Sequence, residues 1–255
     1  MLKRKKKKQP KTPPLVVAIA LVVTAFLLAF VLQRTLPRRD SVGERLPPPD
    51  FAGLLPAGAE AAAGGALELP DTPQPAYVVA YRSVKGEVAL SLIAWDKRES
   101  RYALASTLGL SVGDQRLESV PTLTSVALGR GAPIAVLARG SAGAYMDGVF
   151  VIIRQGNELR FVAKQDKDGH AGIAFFLSGA SARHSENVDL GDVDGDGTKE
   201  AVVTVSETDS HGVKKDAVSV YMLKEGVFTY DAELSRALTI SKSVFPEPTA
   251  PSTLP

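Results

Sequence analysis

Two hydrophobic patterns divide the chain. From Leu15 to Leu32 every residue is apolar except Thr24, so no polar face interrupts this run. From about residue 76 onward, short runs rich in β-branched and aromatic residues alternate with turns rich in Gly, Asp and Ser. The first pattern predicts a helix in an apolar medium, and the second predicts a series of β-strands.

The apolar run has the length of a membrane span. As a helix rising 1.5 Å per residue it would extend about 27 Å, close to the ~30 Å hydrocarbon core of a bilayer. A cleaved signal peptide would have a shorter apolar core and a small-residue cleavage site, whereas bulky and charged residues follow this run. We therefore expect an uncleaved transmembrane signal-anchor helix at residues 15–33.

The charges around this run predict its orientation. Seven basic residues precede it, within a basic segment at residues 1–14, and three follow it closely. The positive-inside rule then leaves the N-terminus in the cytoplasm and the C-terminal part outside. Residues 1–45 carry a net charge of +9 and the remainder carries −7, so the overall basic balance does not indicate nucleic-acid binding.

Composition marks the remaining boundaries. Residues 34–75 are rich in Pro, Ala and Gly, which is typical of a linker, although residues 57–69 could form a short helix or a first strand. Residues 76–243 have the size of a single domain, and we expect an extracytoplasmic β-domain there. The Pro-rich composition of residues 244–255 predicts a disordered tail.

The predicted strands of this domain recur in one order. They form three triplets, at 76–83, 87–96 and 101–106, at 132–139, 147–154 and 158–163, and at 200–206, 216–223 and 227–232. Further strands precede the second and third triplets, at 123–128, 172–178 and 188–190. About three four-stranded antiparallel units, without a long helical period, predict an all-β, propeller-like fold. Because propellers typically have four to eight blades, the ring would be incomplete, or completed by a partner or a second copy; a sandwich is the alternative.

One loop carries specific chemistry. It reads LGDVDGDGTKE and places carboxylates at Asp192, Asp194, Asp196 and Glu200, with the backbone carbonyl of Thr198 between them. Carboxylates this close repel one another unless a cation binds, and the larger, less strictly octahedral Ca²⁺ suits such a loop better than Mg²⁺. The twelfth position of an EF-hand loop would need Glu, which is absent. The alternative is a turn in which the aspartates only cap backbone N–H groups.

The same loop, with a hydrophobic strand on either side, resembles the FG-GAP/VCBS-type repeats of integrin α-chain-like β-propellers and of bacterial surface proteins. The resemblance covers Val188–Leu223 and implies a calcium ion bound by Asp192, Asp194, Asp196, the Thr198 carbonyl and Glu200. It also implies a bacterial cytoplasmic membrane, with the domain in a periplasm or on an open cell surface. The matching segment of the second unit, Leu128–Pro133, has no carboxylate, so we expect no metal there.

The residue types argue against most kinds of catalysis. The chain has no Cys and only three His, and it contains no nucleophile elbow, zinc signature or phosphate-binding glycine loop. We expect a non-enzymatic, membrane-anchored module that binds a protein or glycan partner and carries a structural calcium site. The alternatives are a tethered cell-envelope hydrolase using His184, Asp189 and His211, or an accessory subunit of an envelope complex.

Overall fold

Antiparallel β-strands make up most of the structure, a computed structural model that describes residues 46–70, 74–181 and 183–244. The first strands are β1 (Glu60–Leu69), β2 (Ala76–Arg82), β3 (Val88–Asp96), β4 (Arg101–Gly109), β5 (Ser111–Val112), β6 (Gln115–Arg116), β7 (Thr122–Ala127), β8 (Ile134–Gly143) and β9 (Met146–Gln155). They are followed by β10 (Glu158–Phe161), β11 (Ala163–Gln165), β12 (Ala171–Ile173), β13 (Phe175–Ala180), β14 (His184–Gly191), β15 (Glu200–Thr208), β16 (Lys214–Lys224), β17 (Val227–Asp231) and one helix, α1 (Ala232–Val244). The predicted all-β class is confirmed.

The predicted membrane anchor lies outside the described residues. This applies to the basic segment at 1–14 and the span at 15–33, and also to the tail beyond residue 244. Within the part of the chain that the structure describes, no helix is both long and apolar enough to cross a membrane.

The strands form three sheets, and none of them closes within the described residues. The first sheet has the order β1-β2-β3-β4, and β5 pairs only with β6. The largest has the order β12-β11-β17-β16-β15-β14-β13-β9-β8-β7, with β10 beside β9. Three four-stranded antiparallel meanders can be traced, namely β1–β4, β7–β10 and β14–β17. The second and third meanders are not separate sheets, because β13 pairs with both β9 and β14.

Strand β1 settles the question left open in the predicted linker. Residues 60–69 form a strand that pairs with β2, from Glu60 opposite Arg82 to Leu69 opposite Ala76. The first sheet therefore begins before residue 76, within the segment whose Ala- and Gly-rich composition is typical of a linker.

Apolar residues lie on both faces of the central strands. In β9, Phe150 and Ile152 belong to a core cluster shared with the first sheet, whereas Val149 and Val151 face a second cluster within the large sheet. Successive side chains of a strand point to opposite faces, so a strand covered on both sides is apolar at every position. This double burial explains why the run GVFVII lacks the usual polar alternation.

Val162, between β10 and β11, lies at a junction of the large sheet. The Val162 N–H donates to the Val151 carbonyl at 2.9 Å, and the Ala174 N–H donates to the Val162 carbonyl at 2.7 Å. Beyond Val162 the chain leaves β9, and β11 instead pairs in parallel with β17 and antiparallel with β12. The β10–β11 segment therefore connects β9, within the large sheet, to β17 farther along the same sheet. This connection places Lys164 close to β16 and β17.

The helix α1 differs from the sequence prediction, which has no helix in this domain. Asp231 caps its N-terminus, since its Oδ1 accepts hydrogen bonds from the N–H groups of Glu233 and Leu234. The Ser235 hydroxyl oxygen accepts a hydrogen bond at 2.9 Å from the N–H of Val220, the last β16 residue paired with β17. The Thr239 hydroxyl oxygen accepts one at 2.9 Å from the N–H of Val218, beyond the end of that pairing. The helix thus occupies part of a strand edge that would otherwise remain unpaired.

A substitution of Gly148 tests the packing between the sheets. A Cβ added there would lie 2.6 Å from the Phe175 ring and 2.8 Å from the Leu117 side chain. We expect Gly148→Ala to lower the free energy of unfolding by about 1–3 kcal/mol, because the buried neighbours must shift. Gly172→Ala is the control, since a Cβ there meets nothing within 4 Å. Denaturant unfolding of both variants measures the difference, and equal effects would contradict the packing described.

Candidate metal site

The acidic loop connects the first two strands of the third meander. It runs from the end of β14 to the start of β15, and Gly191 pairs with Glu200 where the loop closes. Since β15 is a strand, the arrangement differs from an EF-hand, as the sequence predicts. The loop is exposed along Asp192–Gly197, whereas Glu200 is buried.

Two glycines allow the loop to curl. Gly195 and Gly197 have φ angles of +80° and +88°, values that side-chain-bearing residues rarely adopt. The curl turns several backbone N–H groups inward, where the aspartates accept hydrogen bonds from them. Asp192 accepts from Gly195 at 2.7 Å and from Gly197 at 3.0 Å.

The next two aspartates cap the loop in the same way. Asp194 Oδ1 accepts a hydrogen bond from the Asp196 N–H at 3.0 Å, and Asp196 Oδ1 accepts one from the Thr198 N–H at 2.6 Å. The capping interactions of the alternative interpretation are therefore present. They do not exclude a cation, because an ionised carboxylate has about four lone-pair positions and each of these carboxylates uses only one or two on the backbone.

Glu200 is the residue that a simple capped turn does not explain. Among the residues that the structure describes, it is the only charged side chain in the buried class, with 0% of its surface exposed. Its Oε2 accepts a hydrogen bond from the Val193 N–H at 2.8 Å, but its Oε1 has no hydrogen-bond partner. A buried carboxylate with one unpartnered oxygen is costly unless a positive charge balances it.

The surroundings of Glu200 disfavour its ionised form. Burial raises the pKa of its carboxyl above the ordinary value, and the negative charges of Asp194, Asp196 and Asp192 raise it further, against the lowering effect of the Val193 N–H. A bound cation would reverse this balance, since it favours the charged form of every carboxylate around it.

Three of the five predicted ligands meet in space. Oxygens of Asp192, Asp194 and Glu200 all lie within 4.8 Å of one another, a grouping that could hold a metal ion. Asp196 lies near enough to affect the pKa of Glu200 but is not part of this close group. Coordination by the Thr198 carbonyl stays a prediction.

The acidic loop rests on the matching loop of the second meander. The Lys199 N–H donates to the Leu128 carbonyl at 2.8 Å, and a Cβ on Gly129 would lie 3.3 Å from Thr198 Cα. Leu128 and Gly129 belong to the β7–β8 connection, which the sequence analysis aligned with the acidic loop. The two loops therefore contact each other directly, and Gly129 is suited to the close approach because it has no side chain.

A second group of possible metal ligands lies in the β11–β12 turn. Asp166, Asp168 and His170 each offer an atom within the same mutual distance of 4.8 Å. Asp166 accepts hydrogen bonds from the backbone N–H groups of the other two residues. These hydrogen bonds and the nearby His170 ring lower the pKa of Asp166. These residues form the turn of the β11–β12 hairpin.

The residues of the hydrolase alternative lie toward different ends of β14. His184 begins this strand opposite Glu207, and His211 lies in the following β15–β16 turn. Asp189 is five residues farther along β14, roughly 16 Å from His184 at the rise of an extended strand. Its Oδ2 accepts a hydrogen bond from the Asn187 amide at 2.8 Å. The described structure does not bring Asp189 to His184.

The raised pKa of Glu200 predicts a pH dependence of stability in the presence of chelator. The folded state holds the Glu200 proton more tightly than the unfolded state, whose value is near 4.5. Stability should therefore fall as the pH rises from about 4.5 through the folded-state pKa. Glu200→Gln, which has no charge to bury, should lack this fall, and the exposed Glu207→Gln should keep it. Denaturant unfolding at several pH values measures the effect, and parallel curves for wild type and Glu200→Gln would contradict it.

Comparisons with protein-family models, curated proteins and solved structures found no match for this chain. The resemblance to FG-GAP/VCBS-type repeats therefore depends on the residues of Val188–Leu223 and stays a prediction.

Proposed function

We propose that the chain is a membrane-anchored, extracytoplasmic interaction module whose β-domain is stabilised by one calcium ion and has no enzymatic activity. The observation that carries the calcium part is the buried Glu200 carboxylate, with its unpartnered Oε1, beside the oxygens of Asp192 and Asp194. In this proposal the ion completes the loop and stabilises the fold, and it takes no part in a reaction.

Calcium is the cation that suits this loop best. All five proposed donors are oxygens, namely three aspartates, Glu200 and the Thr198 carbonyl, and Ca²⁺ binds six to eight oxygen ligands in flexible geometry. Mg²⁺ demands stricter octahedral geometry and gives up its water reluctantly. A loop that is mostly exposed leaves room for water molecules to complete the coordination shell.

The three meanders support a repeat interpretation of the domain. Each has four antiparallel strands, and the second and third carry equivalent loops that contact each other through Lys199 and Leu128. We propose that these meanders are propeller-like units in an incomplete arrangement. Strand β7 is the last strand at one end of the large sheet, and a partner or a second copy would add a strand along its outer edge.

The proposed location follows from the sequence outside the described residues. The apolar run from Leu15 to Leu32, with basic residues before it, supports a single span with a cytoplasmic N-terminus. The β-domain would then lie on the outer side of a bacterial cytoplasmic membrane, where free calcium is more abundant than in the cytoplasm. Its partner would be a protein or a glycan.

Thermal unfolding of the full-length chain tests the calcium proposal. With Ca²⁺ at about a hundred times its dissociation constant, the wild-type melting temperature should rise by about 5–10 °C relative to chelator. Glu200→Gln should abolish this rise, because the buried carboxylate supplies a ligand oxygen. Glu207→Gln, on the same strand but exposed, should keep it. An unchanged wild-type melting temperature, or a full rise in Glu200→Gln, would refute the proposal.

Protease treatment tests the proposed orientation. Bacterial cells expressing the chain with different tags at its two ends are converted to spheroplasts and treated with protease. The C-terminal tag should be lost while the cells remain intact, and the N-terminal tag should be lost only after lysis. Protection of the C-terminal tag until lysis would contradict the extracytoplasmic location.

A further inference from the structure

A half-buried lysine lies above two aromatic rings, away from the acidic loop. Lys164 Nζ donates a hydrogen bond to the Phe175 carbonyl at 2.9 Å. The same atom lies 4.7 Å from the centre of the Phe176 ring and 5.6 Å from that of Tyr221. These contacts hold the ammonium group in one place and leave some of its three N–H donors available for another acceptor.

Lys164 lines a cleft of about 420 Å³. One wall comes from the large sheet, including Phe176, Glu186 and Tyr221, and the other comes from the β5–β6 hairpin, including Asp114 and Arg116. A volume of this size lies within the range of small-molecule sites, about 300–1,000 Å³. Such sites combine apolar walls with a few polar groups that orient the ligand.

The cleft carries charges of both signs. Lys164 and Arg116 are positive, and Glu186 and Asp114 are negative. A purely anionic ligand would meet the two carboxylates, and a purely cationic ligand would meet the two basic groups. The charges therefore suit a ligand that has one group of each sign.

Neighbouring groups do not neutralise these side chains fully. The Arg116 guanidinium lies 3.8 Å from the exposed Glu118 carboxylate. The His184 ring lies 3.9 Å from the Glu186 carboxylate. The Arg116–Glu118 pair is exposed and contributes little, and the His184–Glu186 contact is too long for a hydrogen bond, so both Arg116 and Glu186 remain able to bind another charge.

Limited contact with water strengthens interactions within the cleft. The Lys164 side chain is half-buried. Burial raises the pKa of Glu186, and it also raises that of Tyr221 with help from Asp166, Tyr230 and Glu186. Charges removed from water attract an opposite charge more strongly than charges on an open surface.

We infer that this cleft is a binding site for a small zwitterion with an apolar body, namely an α-amino acid with an apolar side chain. Its carboxylate would contact the Lys164 ammonium, its amine would contact the Glu186 carboxylate, and its side chain would lie against Phe176 and Tyr221. The site uses no residue of the acidic loop, so it does not depend on the proposed calcium ion.

Three related probes test the need for both charges. L-phenylalanine has both groups, 3-phenylpropionate lacks the amine, and phenethylamine lacks the carboxylate. Titration calorimetry on the full-length chain should show phenylalanine binding at least about tenfold more tightly than either relative, a difference of about 1.4 kcal/mol. The titrations are run in calcium and in chelator, so that failure of the calcium proposal is seen separately.

Variants assign each charge to a residue. Lys164→Met should weaken phenylalanine binding about tenfold without weakening phenethylamine, because it also removes a positive charge that repels the amine. Glu186→Gln should weaken phenylalanine binding without weakening 3-phenylpropionate, because it removes a negative charge that repels the carboxylate. Lys167→Met, on the exposed neighbouring turn, is the control and should alter none of the three. Melting temperatures confirm that each variant is folded, and Glu186→Gln decides the test if Lys164→Met does not fold.

Three results would overturn the inference. They are no binding of phenylalanine at millimolar concentration, equal binding of all three probes, and retention of the wild-type preference in every one of the two site variants that folds.

Discussion

A carboxylate shut off from water constrains the acidic loop and the strands beside it. Glu200 is fully buried at the start of β15, and one of its oxygens holds the Val193 N–H at the opposite side of the loop. The other oxygen has no partner, although three aspartates lie on the same loop. Folding without a cation therefore has to place a negative charge where only the Val193 N–H solvates it, and binding of a cation reduces that cost.

The constraint extends beyond the loop because two loops touch. The acidic loop lies against Gly129, and the Lys199 N–H bonds to the carbonyl of the buried Leu128. Leu128 in turn belongs to the core cluster that contains Val188 and Val203 on either side of the loop. The acidic loop and the second meander therefore share a hydrogen bond and a core cluster, and a cation bound at Glu200 would stabilise a loop that contacts both meanders.

The parts of the fold that the sequence predicted are local ones. Strand runs and turns follow from side-chain alternation and from residues such as Gly226, whose φ is +82°, and the spacing of the acidic residues lies within one loop. Pairing between distant strands is not readable in this way. The bridge by β13, the parallel pairing of β11 with β17 and the edge covered by α1 all join segments far apart in sequence. For the same reason, neither the burial of Glu200 nor the position of Lys164 over Phe176 was predicted.

We propose above all that a cation balances the buried charge of Glu200. Carbon-detected NMR of the side-chain carboxyl groups can follow the titration of this one residue in the full-length chain, with assignment by comparison with Glu200→Gln. In chelator the pKa of Glu200 should lie above its ordinary value of 4.5, and in saturating Ca²⁺ it should fall below that value. A titration that is the same in calcium and in chelator would contradict the account.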